Sequence, residues 1–198
     1  MKTLKTDDLI SIEEYDRQRQ SFRASIIALK QRRRISVGPL ITLLFENRDT
    51  LRFQVQEMIR AEHIVDSVKV QEELDVYNAL LPDPDELSAT LLIEITEEAT
   101  MQDKLDQFMG LDHGNKLSII ADGEAVFGEF EGGRSHESKI SAVHFVRFRP
   151  TASMQRTFSD LTRPVKIRVD HGGYQHEVSV PGTMREEWLA DLKSSAES

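Results

Sequence analysis

The stretch LITLLFENRDTLRFQVQEMIRAEHIV, Leu40 to Val65, holds a strand, a turn and a helix in succession. Leu40 to Glu46 is an almost unbroken apolar run, the pattern of a strand covered on both faces. Asn47 to Thr50 supplies turn and cap chemistry. From about Leu51 the apolar residues Leu51, Val55, Met58 and Ile59 recur at helical spacing, which predicts an amphipathic helix with one side in a core. The same spacing continued reaches Glu62 and Val65, placing Glu62 at the edge of the buried face. A charge so placed requires a partner or a shifted pKa, so Glu57 or Glu62 is expected to pair with a cation, an arginine above all. On the flanking faces Gln56, Arg60 and His63 follow one another at helical spacing, as do Gln54, Glu57 and Arg60. Two readings stand for this polar wall: ordinary ion pairs along a helix, or the lining of a pocket. On the second, Gln56, Glu57, Arg60, Glu62 and His63 are candidate ligand-binding residues.

Upstream, Ser11 and Glu14 have the spacing of a capping box, and a helical pattern runs from there to about Arg34 with a narrow apolar stripe at Phe22, Ile26, Ile27 and Leu29. It closes on Lys30, Arg32, Arg33 and Arg34. Cations at a helix C-terminus are favourable by about 0.3–1 kcal/mol each when exposed; the alternative is a cationic patch for an anionic ligand or an acidic partner. Gly38-Pro39 breaks the pattern. Downstream, a second helix is expected over about Val68 to Leu80, and the segment Leu81-Pro-Asp-Pro-Asp-Glu86 ends it, since its two prolines suit neither a helix interior nor a central strand. Residues 1–86 therefore read as helices plus one strand.

Residues 87–198 read differently, because the segment repeats itself. Ser88-Ala-Thr-Leu-Leu-Ile-Glu-Ile-Thr96 aligns with Ser141-Ala-Val-His-Phe-Val-Arg-Phe-Arg149, 53 positions on, and the same offset matches Met101-Gln102 to Met154-Gln155. Lys116 to Gly123 then corresponds to Val165 to Gly172 after a short deletion, and Asp122-Gly123 and Gly172-Gly173 are hairpin signals. Each copy reads as a βαββ unit with its own helix over one face of its sheet, and two units joined edge to edge would hide their open edges. The linker Glu131 to Ser138, EGGRSHES, belongs on the surface. A last helix, Met184 to Ser194, is expected to start at Thr183 and to dock through Trp188 and Leu189. The expected fold is α+β: a mixed, largely antiparallel sheet from the two βαββ units, joined by the Leu40 strand, with the N-terminal helices packed on it in one compact domain.

Composition narrows the function. Net charge is −9, from 34 acidic against 25 basic residues, which disfavours a surface that tracks phosphates, so no nucleic-acid partner is expected. No apolar run approaches the roughly 20 residues of a membrane span, and the N-terminus lacks a secretory pattern; a cytoplasmic protein without a membrane partner is expected. The chain has no cysteine, so it has no disulfide and no thiolate ligand for zinc or an iron-sulfur cluster. Glycine-rich phosphate loops, nucleophile elbows and paired-histidine zinc helices are all missing. Among the six histidines, His144 shares a strand face with Ala142, Val146 and Phe148; it is a ligand-binding candidate whose plainer reading is a hydrogen-bonded core residue. Asp170, His171 and His176, close across a hairpin, are the metal candidates.

The run Leu43-Leu-Phe-Glu-Asn-Arg48, then Phe53 to Arg60, then Glu73 to Asn78 with Leu80 to Pro82, resembles a bacterial family known as a domain of unknown function, and Ser141 to Phe148 and Val169-Asp-His171 with Tyr174 carry its later signatures. The resemblance spans nearly the whole chain. Ala79 departs from it, standing where proline is common in the family. Members of that family are often encoded beside rubrerythrin-like and iron-sulfur proteins, so the resemblance implies an accessory role beside such a redox or peroxide-metabolism partner, and it implies no catalytic residue. The leading expectation is a non-enzymatic accessory or interaction protein. The alternative is a metal- or small-molecule-binding protein, an enzyme included, with a polar site on the Gln54 to His63 helix. A structural homo-oligomer is the third.

Overall fold

A computed structural model describes residues 1–97, 101–132 and 140–196, without the side chains of 195 and 196. Of the expected linker, residues 133–138 lie outside the described residues, His136 among them. After a short 3-10 turn at Thr6–Asp8, the first half runs α1 (Ile12–Arg33), β1 (Arg34–Val37), β2 (Ile41–Glu46), α2 (Arg48–Ala61) and α3 (Ser67–Asn78). Then follow β3 (Leu87–Ile93), α4 (Met101–Asp106), β4 (Leu117–Ala121), β5 (Glu124–Phe127) and β6 (Glu129–Phe130). The last part comprises β7 (Val143–Phe148), α5 (Ala152–Ser159), β8 (Val165–His171), β9 (Tyr174–Ser179) and α6 (Gly182–Ala196). The class is α+β, as the sequence predicts. No helix among the described residues is long and apolar enough to cross a membrane.

The strands form two sheets instead of the one expected, and every pairing is antiparallel: β1-β2-β3-β7-β6 and β5-β4-β8-β9. Strand–helix–strand–strand does occur twice, over 87–127 and 143–179, but neither set makes a sheet of its own. Like pairs with like: β3 lies beside β7 in the first sheet and β4 beside β8 in the second. The reason is the placement of apolar side chains. Leu87, Ala89 and Leu91 stand opposite Phe148, Val146 and His144, so pairing β3 with β7 extends one apolar face. That face and the inner face of the second sheet, with Leu117, Ile119, Ile167 and Val169, share one core. Trp188 of α6 closes it, its ring 4.6 Å from Phe45 and 5.3 Å from Phe158 between centroids. The helix bearing it begins at Gly182, so Thr183 falls in the first turn.

The other face of the first sheet carries a smaller core, in which Leu51, Val55 and Ile59 of α2 meet Leu74 of α3, Leu80, Leu81 and Phe145. Covered on both sides, β2 is buried at every position, which is what its unbroken apolar run requires. Its last residue, Glu46, is accommodated by hydroxyls: Thr50 donates to it at 2.5 Å and Thr90 at 2.8 Å.

Two contacts tie the sheets together at their margins. Between β5 and β6 the chain passes from one sheet to the other at Gly128, where a Cβ would lie 2.6 Å from Val146. At the opposite margin the Tyr174 hydroxyl of β9 donates to the Val37 carbonyl (2.6 Å) and accepts from the N–H groups of Leu40 and Ile41 (3.0 and 3.1 Å). It thereby satisfies the β1–β2 turn, whose Gly38 has φ +76° and would drive a Cβ into the His176 ring.

Arg33 corrects the reading of the basic run that ends α1. Its neighbours Arg32 and Arg34 are exposed, but Arg33 is fully buried. Its guanidinium donates to the carbonyls of Phe45 (2.8 Å) and Glu46 (3.3 Å), to Glu187 (3.0 Å) and to Asp191. Burial pushes the Asp191 carboxyl up to about 6 despite the pull of Arg33. Burial also opposes ionisation of Glu187, yet hydrogen bonds from Arg32 and Arg33 hold that carboxyl below its ordinary range.

Arg33→Met is expected to cost about 3–5 kcal/mol in urea unfolding, because it strands buried acidic partners, and Arg33→Lys is expected to restore little, since a single ammonium cannot serve all four acceptors. Tyr174→Phe removes three hydrogen bonds from one turn and is expected to cost about 1–3 kcal/mol in the same measurement.

Candidate functional site

The polar wall of α2 is the first candidate, and its local chemistry is set by its cap. Asn47 accepts from the N–H groups of Asp49 (3.1 Å) and Thr50 (3.0 Å), while Thr50 accepts from the Asn47 N–H (2.9 Å), starting the helix at Arg48. The first three candidates along it are occupied by the chain itself. Gln56 is buried and reads the backbone of Ile10 as a strand would, accepting at 3.1 Å and donating at 2.9 Å. Glu57 takes a bidentate pair of bonds from Arg19, both 2.8 Å, and one of 2.5 Å from the Tyr15 hydroxyl. The expected arginine partner of Glu57 is thus Arg19 of α1. Arg60 pairs with Asp16. These residues bind α1 and the segment before it to α2.

The Glu57 carboxyl reflects this setting. Hydrogen bonds from Arg19, opposed by burial and reinforced by Tyr15, lower its pKa to about 2. The Tyr15 phenol moves the other way, pushed up by burial and by the Glu57 charge.

Glu62 and His63 do not continue the wall. The helix ends at Ala61, Glu62 is its C-cap, and His63 takes a left-handed turn at φ +52°. Helical spacing therefore stops short of Glu62, which is exposed instead of sitting at the edge of a core. Both residues line an open depression of about 340 Å³ with Asp66, Lys69, Glu72 and Glu73. Beside it lies a groove of about 320 Å³ between the N-terminal segment and the end of α2, walled by Leu9, Ile10, Ile12, Ile59, Ile64 and Val70. At its lip Val65 is 86% exposed; Val68, on the first turn of α3 and outside the groove's lining, is 65% exposed. Helical spacing set Val65 on the apolar stripe of α2, but the helix ends at Ala61 and leaves Val65 in the open; the available signal was Val65, Val68 and Val70 standing among acidic residues.

The remaining candidates lie elsewhere. His144 is fully buried on the inner face of the first sheet, away from α2, with Nε2 2.7 Å from the Ser141 carbonyl and its ring edge-on to Phe130. The hairpin trio is divided by the pleat. Asp170 stands opposite Gln175 on the outer face of the second sheet, whereas His171 and His176 share the inward face with Tyr174 and Val169. His171 Nε2 lies 3.1 Å from the Gln107 carbonyl, and His176 packs on Tyr174. Among the described residues, no three His, Cys, Asp or Glu side chains group so as to hold a metal ion.

The class these observations define is an α+β protein of two antiparallel sheets with an open apolar groove at one helical corner. Residues 3–192 match the family described as Protein of unknown function (DUF3501), and the chain belongs to that family. Its fold is similar to the crystal structure of a novel protein of unknown function from Burkholderia pseudomallei, with 32% sequence identity and a TM-score of 0.87 over 96% of this chain and 100% of that one. No curated protein matches the chain.

Because the Glu57 pKa lies below its ordinary value of 4.5, its contribution to stability is complete above that pH and is lost as pH falls toward about 2. Glu57→Gln is expected to flatten the stability profile in this window, measured as urea midpoints from pH 5 to pH 2; an unaltered profile would assign the acid sensitivity elsewhere.

Proposed function

We propose that this chain is a partner-binding accessory protein and that its partner docks on the apolar corner formed by Ile59, Ile64, Val65, Val68 and Val70. The observation that carries the reading is the exposure of Val65 on a preformed groove, with Val68 exposed three residues further on, since apolar surface left open next to a concavity marks a place that gains from being covered. Glu62, Asp66, Glu72 and Glu73 outnumber Lys69 along the adjoining depression, which favours a basic amphipathic segment. The resemblance noted from the sequence supports a rubrerythrin-like or iron-sulfur protein as the source of that segment. We also read the shared element order of 87–127 and 143–179, with like strands paired, as favouring a duplicated origin for the two segments.

The test is co-purification of the chain with candidate rubrerythrin-like and iron-sulfur proteins. Wild-type protein is expected to recover one of them. Val65→Asp combined with Val68→Asp is expected to lower that affinity about tenfold or more, because two apolar contacts worth roughly 1 kcal/mol each are replaced by carboxylates, while melting behaviour stays unchanged. Recovery of none above background would sink the reading. A second reading, a small apolar ligand, is favoured by the groove volume, which falls at the lower end of the range of about 300–1,000 Å³ typical of ligand pockets. A thermal-shift screen separates the two, since such a ligand raises the melting temperature in the absence of any partner.

A further inference from the structure

From Arg17 to Phe45 the chain contains no Asp or Glu, an unusual gap in a protein with a net charge of −9. Most cations of this stretch are neutralised by the rest of the chain: Arg17 by Glu14, Arg19 by Glu57, Arg32 and Arg33 by Glu187, and Arg34 by Glu94. Arg23 and Lys30 form no ion pair among the described residues, and they stand with Ile27 at successive helical positions on one stripe of α1. Ile27 is 52% exposed. Alongside this stripe Phe22 of α1 stacks on Phe53 of α2, with centroids 6.3 Å apart and planes 17° from parallel. Both rings remain partly open to solvent.

A cation is held over each ring. Lys30 Nζ lies 5.4 Å from the Phe53 centroid, and Arg52 Cζ lies 5.2 Å from that of Phe22. Arg52 reaches a carboxylate only at 3.9 Å, on Asp49, and its Nε, shielded from solvent, has no hydrogen-bond acceptor among the described residues. Contact with a ring fixes the position of a cation without cancelling its charge. The face is thus a preorganised aromatic platform bordered by Arg52, Arg23 and Lys30, with Ile27 exposed beside it.

We propose that this face of α1 and α2 binds an acidic polypeptide segment that carries a large apolar side chain: the apolar group lies on Ile27 and the Phe22–Phe53 pair, and flanking carboxylates reach Arg23, Lys30 and Arg52. Charge complementarity selects this occupant over other anions. A nucleic-acid strand needs many cations along its phosphates, and an anionic membrane needs a cluster of about four to eight, whereas here only three border the platform, one of them already within 3.9 Å of Asp49, on a chain that is acidic as a whole. The surface shares no residue with the groove at the other end of α2, so its test is independent of the reading above.

The test is selection of random phage-displayed peptides on the full chain, followed by fluorescence anisotropy with the enriched peptides. Wild-type protein is expected to enrich sequences in which an aromatic or long aliphatic residue is flanked by Asp or Glu. The double variant Arg23→Glu with Lys30→Glu is expected to bind them about tenfold more weakly at an unchanged melting temperature, and Arg23→Gln with Lys30→Gln to give a smaller loss. Peptides without the acidic-apolar pattern, undiminished binding by either variant, or tighter binding of polyuridylate or phosphatidylserine vesicles than of the selected peptides would each overturn the proposal.

Discussion

One buried cation links the first helix, the second strand and the C-terminal helix of this protein. Arg33 is the last residue of α1 and immediately precedes the first strand, and its guanidinium joins α1, the end of β2 and two carboxylates of α6. A charge removed from water is tolerated only when it is paired and hydrogen-bonded, and Arg33 directs four of its N–H donors to two carbonyls and two acids. The arrangement fixes where the C-terminal helix lies, and with it Trp188, whose ring closes the main core against Phe45 and Phe158. Other buried acids are handled in the same way: Glu46 takes hydroxyl donors, and Glu86, also fully buried, pairs with Arg147 and Arg149.

The division of labour along α2 follows from the same rule. Where the helix faces α1, its polar residues are bonded to the chain itself, so the side chains richest in chemical possibility are the ones least available to a ligand. Beyond Ala61 the helix ends, the main-chain direction changes at His63, and apolar residues that no later element covers are left on the outside. Openness, not polarity, distinguishes the candidate surface.

Much of the fold was legible in the chain. The unbroken run of β2, the caps at Ser11 and Asn47, the hairpin turns at Asp122-Gly123 and Gly172-Gly173 and the breaker after α3 are local signals, and local backbone chemistry acts as expected of it. The sheet partnership was not legible, because the alternation of a strand states that one face is buried and is silent about which strand lies beside it. Glu62 was misplaced for a related reason: helical spacing predicts faces only as far as the helix extends. Arg33 was hidden among three other cations at a helix end, where a favourable surface charge and a buried clamp look the same.

What the sequence determined by itself is therefore the class of fold, most of its helices and strands but not β1 or β6, the absence of cysteine and the need of Glu57 or Glu62 for a cationic partner, all of which rest on composition, periodicity and the cost of an uncompensated charge. Only the tertiary structure decided that the strands separate into two sheets with like beside like, that Asp170 stands on the opposite face of its hairpin from His171 and His176, and that Val65 and Val68 remain uncovered. Each of these depends on which distant segment covers a given face, and that is settled by the joint packing of the whole chain.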